Sequence, residues 1–348
     1  MCVAFWTLDH PDYALILCSN RDEFLARPAL PAAFHDHSPE MAEHDATVSD
    51  PSSGLPDGNT LLSGRDTQAG GTWLGLAPAR GRVALLTNIT EAYQNFPSSR
   101  GELAYRFLLG RPTTSLEDLF PQAAYSGFNL LTLEARWQLD PQGLGKPSSL
   151  QFAFTNASIL SNGGAGGQIT SRKLRTDEFT CAGLSNGLHV SDTAGEQWPK
   201  VSQGRSLFAS AIAAHDAELK ADRDAKAAEE DPFADEALAR RLFAIMRTTA
   251  PEPVRAREEL RRTICVRPLE MGAKVPDAPP AYYGTRTATV LLVRRSGEAL
   301  FVERDVWRLA PHAAEGVELY QGGRIGGTED AGEDAGERVF RVKMNVFM

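Results

Sequence analysis

Cys2 is the residue whose type and position together suggest chemistry. Removal of the initiator Met1 would leave its thiol beside its own α-amine. That amine has a reference pKa near about 8, so it can take the thiol proton and later protonate a leaving amine. One residue would then supply both nucleophile and base. Without that step, Cys2 reads as a small apolar residue opening a strand. A working site also needs a carboxylate to hold the amine, and cationic or amide donors for thiolate and oxyanion. The chain offers Arg21 and Asp22 after an apolar run, Asn88 in Thr87-Asn88, and Asn186 in Leu184-Ser185-Asn186-Gly187. It also offers Arg286 in Gly284-Thr285-Arg286-Thr287, immediately before an expected strand. Each has a plainer explanation when taken singly; Asn-Gly, for instance, is first a turn signal. Together they are polar groups at the ends of apolar strands, where a layered sheet protein gathers a site.

The elements that would position these residues follow from periodicity. Val3 to Leu8 and Tyr13 to Ser19 are apolar at nearly every position and predict a hairpin of strands covered on both faces. The second strand is expected to end at Asn20-Arg21-Asp22-Glu23. Pro28 to Asn59 lacks periodicity and reads as a loop. A strand is expected over Val83 to Asn88, and Ser99-Arg100-Gly101-Glu102 reads as a capping box opening a helix. A short helix is expected over 115–124, with strands at Phe128 to Leu133 and Leu150 to Thr155. An exposed charged helix spans 206–230, and Leu238, Leu242, Ile245 and Met246 form one face of a packed helix over 235–248. A hairpin at Thr287 to Arg294 and Leu300 to Glu303 precedes a final strand at Val339 to Met344. Hairpins outnumber β-α-β alternations, which favours an α+β protein with antiparallel sheets. No dinucleotide or P-loop motif is present.

Composition narrows the function classes. The chain has 348 residues, 42% of them hydrophobic, which suits a packed globular protein rather than a disulfide miniprotein or a disordered chain. Its 36 Lys+Arg against 45 Asp+Glu leave a net charge of −9, so no nucleic acid partner is expected. The 4 cysteines (Cys2, Cys18, Cys181, Cys265) form no C-x-x-C pair and lie near no His at zinc spacing, so no metal site is expected. Their scatter fits a reducing compartment. The first residues lack a basic start and a long apolar core, and no apolar run reaches about 18 residues. The expectation is a cytoplasmic protein without signal peptide or transmembrane segment.

A set of motifs in fixed order resembles the transport and Golgi organisation protein 2 family, also named the NRDE family after Asn20-Arg21-Asp22-Glu23. The matching pieces begin with Met1-Cys2, Ser19 to Phe24 with Arg27-Pro28, and Gly70-Gly71-Thr72-Trp73-Leu74-Gly75. They continue with Leu86-Thr87-Asn88, Arg100-Gly101-Glu102-Leu103, Gly127-Phe128-Asn129-Leu130, Leu184-Ser185-Asn186 and Gly284 to Thr287. Stretches near 31–60, 215–232 and 321–337 look like insertions in one domain spanning 1–348. The resemblance implies a four-layer α-β-β-α fold similar to N-terminal nucleophile hydrolases, with two stacked antiparallel sheets. Within the choloylglycine hydrolase and penicillin V acylase group of that fold, a Cys attacks an amide, an Asp holds its amine, and two Asn bind the oxyanion. By position Cys2, Asp22, Asn88, Asn186 and Arg286 would fill the catalytic places, with Arg21 and Trp73 binding substrate. Those acylases space their Arg and Asp as R-N-x-D. Here Arg21 adjoins Asp22, and strand neighbours face opposite ways, so Arg286 becomes the expected cation at Cys2.

The family is associated with Golgi organisation and protein secretion, with mitochondrial and lipid phenotypes, and with haem trafficking. The resemblance therefore implies a secretory or organelle homeostasis factor using the hydrolase fold as a scaffold. The competing expectation is an active cysteine amidohydrolase or acyltransferase acting on an acyl-amide. No cofactor is required by either; haem enters only as a transported ligand, with His189 the one histidine near the proposed site. A third expectation, a docking protein for secretory-pathway partners, rests on the charged helix at 206–230. The expected location is cytoplasmic with Golgi association, and mitochondrial association is the further implication.

Overall fold

The chain forms two large antiparallel sheets, the first with strands from both ends of the sequence and the second from consecutive strands over 29–173. The computed structural model describes residues 2–36, 60–92, 94–110, 117, 120, 124–139, 150–188, 198–225, 234–271, 281–309, 319–321 and 336–346. The first sheet opens with the expected hairpin, β1 (Val3–Thr7) and β2 (Tyr13–Phe24). The second sheet follows the chain in order: β3 (Ala29–Asp36), β4 (Thr60–Asp66), β5 (Leu74–Ala77), β6 (Arg82–Asn88), β7 (Phe128–Leu139), β8 (Leu150–Ser161) and β9 (Thr170–Lys173). The first sheet is completed by β10 (Ala182–Ser185), β11 (Leu269–Met271), β12 (Ala281–Arg294) and β13 (Glu298–Asp305). A small pair, β14 (Trp307–Leu309) and β15 (Leu319–Gln321), precedes its last strand, β16 (Glu337–Lys343). The first sheet runs β10-β1-β2-β12-β13-β16, with β11 paired to β12.

Alternation along the strands decides what each face packs against. Ala4, Trp6, Leu15 and Leu17 point to one side and meet Leu62, Leu76, Val83, Leu85 and Leu131 of the second sheet. Val3, Phe5, Ile16 and Cys18 point to the other, where they meet the helices α3 (Pro199–Ala225) and α4 (Ala234–Met246) through Phe208, Leu238, Leu242, Phe243 and Met246. On the far side of the second sheet, Ala84, Leu86, Leu130 and Leu160 pack with Leu103, Ala104, Phe107 and Leu108 of α1 (Gly101–Leu109). A short helix α2 (Thr176–Thr180) leads into β10. Strands covered on both faces are apolar at nearly every position, which is why β1 and the first part of β2 read as almost continuous apolar runs.

Several expectations need correction. The Asn20-Arg21-Asp22-Glu23 motif does not follow a strand; β2 runs through it to Phe24. Residues 29–36 are not loop but the edge strand β3, in which Pro31 falls at a register shift between Leu30 and Ala33. Proline is tolerated there because an edge needs no ladder donor. The capping box does not form: Arg100 occupies the α1 N-cap with helical dihedrals and no side-chain cap bond, and Glu102 instead pairs with Arg106 at 2.7 Å. Arg286 lies within β12, not before it. Of the expected insertions, residues 31–36 belong to β3 and 215–225 to α3, while 37–59, 226–233 and 322–335 lie outside the described residues. The helix expected over 115–124 lies mostly outside them too.

Candidate active site

Strand register brings Cys2 to its neighbours. Val3 pairs with Asn20 of β2 and with Ser185 of β10. Continuing both registers by one residue sets Cys2 between Arg21 and Asn186, and residues opposite each other share a face. Ser185 Oγ donates to the Cys2 carbonyl at 2.7 Å, and the Cys2 thiol makes a long S–H contact of 3.9 Å to the Asp22 carbonyl. The half-buried thiol opens into a cleft of about 120 Å³ shared by both sheets and the start of α1. Arg21, Asp22 and Glu23 line it from β2, Trp73 and Asn88 from the second sheet, and Arg100 and Gly101 from α1. Burial pushes the Cys2 thiol above its ordinary pKa and the Asp22 charge adds to this, while Arg21 works against it.

Arg21, Arg27 and Arg100 all line this cleft, and Arg21 is the one that the strand register sets opposite Cys2. Its guanidinium lies 4.0 Å from the centroid of the Trp73 ring, and the residue is 6% exposed. It makes no hydrogen bond or ion pair among the described residues beyond that stack. Burial lowers its pKa, opposed by Glu23, Cys2 and Asp66. Arg286 occupies a different place: it is the extra residue of a β12 bulge, between Thr285 opposite Asp22 and Thr287 opposite Arg21. Its guanidinium donates to the Arg27 carbonyl and does not line the cleft. Burial, with the Arg21 charge beside it, brings its pKa down to about 10. The expectation that Arg286 is the cation at Cys2 is therefore corrected. Arg21 and Asp22 do face opposite ways, but Cys2 lies on the face of Arg21.

Asp22 turns toward the helices. It is 4% exposed, and its Oδ1 accepts from Thr285 Oγ1 at 2.6 Å. Thr285 Oγ1 itself accepts the Val266 N–H at 2.8 Å, and the Tyr283 hydroxyl donates to the Asp22 carbonyl at 3.0 Å. Burial raises the Tyr283 hydroxyl well above its usual range. Lys200, in the first turn of α3, is completely buried. Burial lowers its pKa, opposed first by the Asp22 charge and then by Cys2. Sequence reasoning missed Lys200 and Arg100. A signal for Lys200 was available: it shares an i, i+4, i+8 stripe with Gly204 and Phe208, the buried face of α3.

The remaining motif residues hold the frame. Asn20 Nδ2 donates to the carbonyls of Met246 at 2.8 Å and Ile264 at 3.0 Å, tying β2 to the end of α4. Asn129 Nδ2 reaches the carbonyls of Ser185 at 3.3 Å and Gly187 at 3.0 Å, and Thr87 Oγ1 donates to Ser185 at 3.0 Å. These bonds fasten the end of β10, with Asn186, onto the second sheet. Asn186 is 5% exposed, and its Oδ1 accepts no hydrogen bond among the described residues. Asn88 ends β6 at the cleft; Asn186 does not line it. Gly71, with φ of +90°, lets the preceding loop touch α1: a Cβ there would lie 2.2 Å from the Gly101 carbonyl carbon. That contact sets Arg100 in the cleft, where Nη1 donates to the Gly127 carbonyl at 3.1 Å. Burial lowers the Arg100 pKa, against the charges of Glu91, Glu23 and Cys2.

Among the described residues no group of three or more His, Cys, Asp or Glu could hold a metal ion, and no helix is long and apolar enough to cross a membrane. His189 lies outside the described residues. The arrangement combines a thiol, a guanidinium and side-chain amides, which suits nucleophilic attack on a carbonyl.

Comparison with known proteins places this site in context. The profile of the family described as Transport and Golgi organisation 2 matches residues 1–308. The Transport and Golgi organization protein 2 homolog of Bos taurus is 29% identical over 325 residues, covering 88% of this chain and 93% of the relative. That of Homo sapiens is 27% identical over 322 residues, with 88% and 93% covered. An uncharacterized protein of Saccharomyces cerevisiae is 25% identical over 330 residues, with 87% and 91% covered.

Proposed function

The chain belongs to the Transport and Golgi organisation 2 family, and on that premise we propose that it serves Golgi organisation and secretion through acyl chemistry at Cys2. The observation that carries this reading is the cleft in which Cys2, Arg21, Asp22 and Asn88 meet. The stacking of α3 and α4, two sheets and α1 supports a four-layer scaffold of the N-terminal nucleophile hydrolase kind.

Once its α-amine is free, Cys2 passes its thiol proton to that amine, and the thiolate attacks the carbonyl carbon of an acyl-amide. The carbonyl oxygen takes up the electron pair and is received by the amide of Asn88, the asparagine that lines the cleft. The ammonium, held by Asp22, then protonates the departing amine as the C–N bond breaks, leaving a thioester on Cys2. Water releases the acid; a second amine in its place would make the protein an acyltransferase. Arg21, flat on Trp73, binds the substrate beside the reacting carbon. At about 120 Å³ the cleft is smaller than pockets that enclose a drug-sized ligand, so it receives the reacting end of a substrate.

The test is labelling by a thiol-reactive acyl-amide probe, with intact-mass analysis of the native N-terminus. Labelling of Cys2, lost in Cys2→Ala and strongly reduced in Asp22→Asn, is expected on protein lacking Met1. Label on Cys18 or Cys181 instead, or a retained Met1, would sink the enzyme reading.

A scaffold that carries haem or lipid is the second reading. It rests on the size of a wider hollow of about 410 Å³, whose lining mixes Val254, Cys265 and Pro268 with Thr249, Glu252 and Arg267. That volume lies within the range of small-molecule sites. Titration with a fluorescent porphyrin should saturate at one site, and a linear signal would count against it.

A further inference from the structure

We propose that Lys200 is the buried counter-charge of Asp22, a positioning residue that keeps the carboxylate from locking the Cys2 amine in its protonated form. A fully buried ammonium is tolerated only when paired. Lys200 has no exposed surface, and Asp22 is the carboxylate whose charge acts on it. Strand alternation turns Asp22 to the same side of β2 as Ile16 and Cys18, the side covered by α3 and α4.

The start of α3 is held against that side by close contacts. Gly204 lies under the Phe5 ring so tightly that a Cβ would fall 1.9 Å from its tip. A Cβ on Gly183 of β10 would fall 2.7 Å from a Val201 methyl, and one on Gly187 would fall 3.3 Å from the Trp198 indole nitrogen. Trp198 in turn stands 5.5 Å from the Lys200 ammonium, ring to nitrogen. The helix cannot slide without breaking these contacts, so Lys200 is delivered to the underside of the Cys2 strand.

The chemical consequence concerns the base. A buried carboxylate with one cationic partner would stabilise the α-ammonium and raise its pKa, leaving little free amine near neutral pH. Sharing Asp22 with Lys200 weakens that hold and brings the amine into its working range. Among the described residues, the titratable groups on which the Asp22 charge acts are Lys200 from α3, Cys2, Tyr283 from β12, and Cys265 from the segment before β11. Lys200 is the cation among them. This role deepens the hydrolase reading above, but the ion pair itself stands apart from activity.

Two measurements separate them. In a thermal-denaturation cycle, Lys200→Met and Asp22→Asn each lower the melting temperature, and the double variant melts no lower than the worse single one. Additive losses would overturn the pair, whatever the activity. If Lys200→Met alone is insoluble, soluble protein on adding Asp22→Asn supports the pair, and continued insolubility overturns it. The second measurement is the pH profile of Cys2 alkylation by iodoacetamide, read by intact mass on protein lacking Met1. Lys200→Met should move its midpoint to higher pH by about one unit or more, and Lys200→Arg should return it toward wild type. An unmoved midpoint, or an equal shift in Lys200→Arg, would overturn the positioning role while leaving the family's proposed acyl chemistry to its own probe test.

Discussion

At the scale of single residues, the thiol is the group whose state governs reactivity. Burial raises the Cys2 pKa, so at neutral pH it holds less thiolate than an exposed cysteine. With Met1 retained, its alkylation rate should therefore keep rising with pH past about 8.5, where an ordinary cysteine levels off. A quench-flow series with iodoacetamide checks this, and a profile centred at or below that value would contradict the burial argument. The Arg21–Trp73 stack invites a second prediction. Removing the ring in Trp73→Leu frees the guanidinium and should lower acyl-probe labelling on the order of tenfold, the scale of a desolvated cation–π contact. Labelling rates alongside melting curves distinguish this from simple unfolding, since the fold should lose much less than the site.

At the scale of elements, the approach of one loop to one helix terminus sets the cleft wall. Gly71 combines a positive φ with backbone contact to Gly101, whereas neighbouring Gly70 has φ of +69° and open space around its Cβ position. Gly71→Ala should cost roughly 2 kcal/mol or more and displace Arg100, while Gly70→Ala should cost only about 1–2 kcal/mol of backbone strain. Urea denaturation of the two variants gives the comparison directly. The elements themselves were unevenly legible. The β1–β2 hairpin and α4 announce themselves because their apolar periods match their geometry. The polar run of residues 20–23 resembles a loop because its partners are remote: Met246 and Ile264 for Asn20, Trp73 for Arg21, and Thr285 for Asp22. Edge strand β3 was hidden by Pro31, and the bulge at Arg286 cannot be read from local pattern at all. Lys200 was obscured because a single lysine beside a proline ordinarily means a solvated helix start.

At the scale of the whole molecule, the cleft exists only where the two sheets and α1 meet, so it draws on residues from 2 to 101 and on the β10 and β12 segments that brace them. The proposed chemistry needs a free Cys2 amine, which an N-terminal fusion would block. A C-terminally tagged chain is expected to show cytoplasmic signal with Golgi enrichment by co-localisation microscopy; a purely mitochondrial pattern would redirect the proposed role. Strand β2 has one more consequence, for genetics. Because its pleat turns Asn20 and Asp22 to the helices and Arg21 and Glu23 to the cleft, missense changes at four consecutive codons should sort into two alternating classes. Changes at 20 and 22 should deplete the protein from cells, those at 22 also silencing what remains because Asp22 reaches the cleft as well, while those at 21 and 23 should leave its abundance near normal and silence it. A saturation library scored separately for steady-state level and for probe labelling would reveal that every-other-codon signature in abundance.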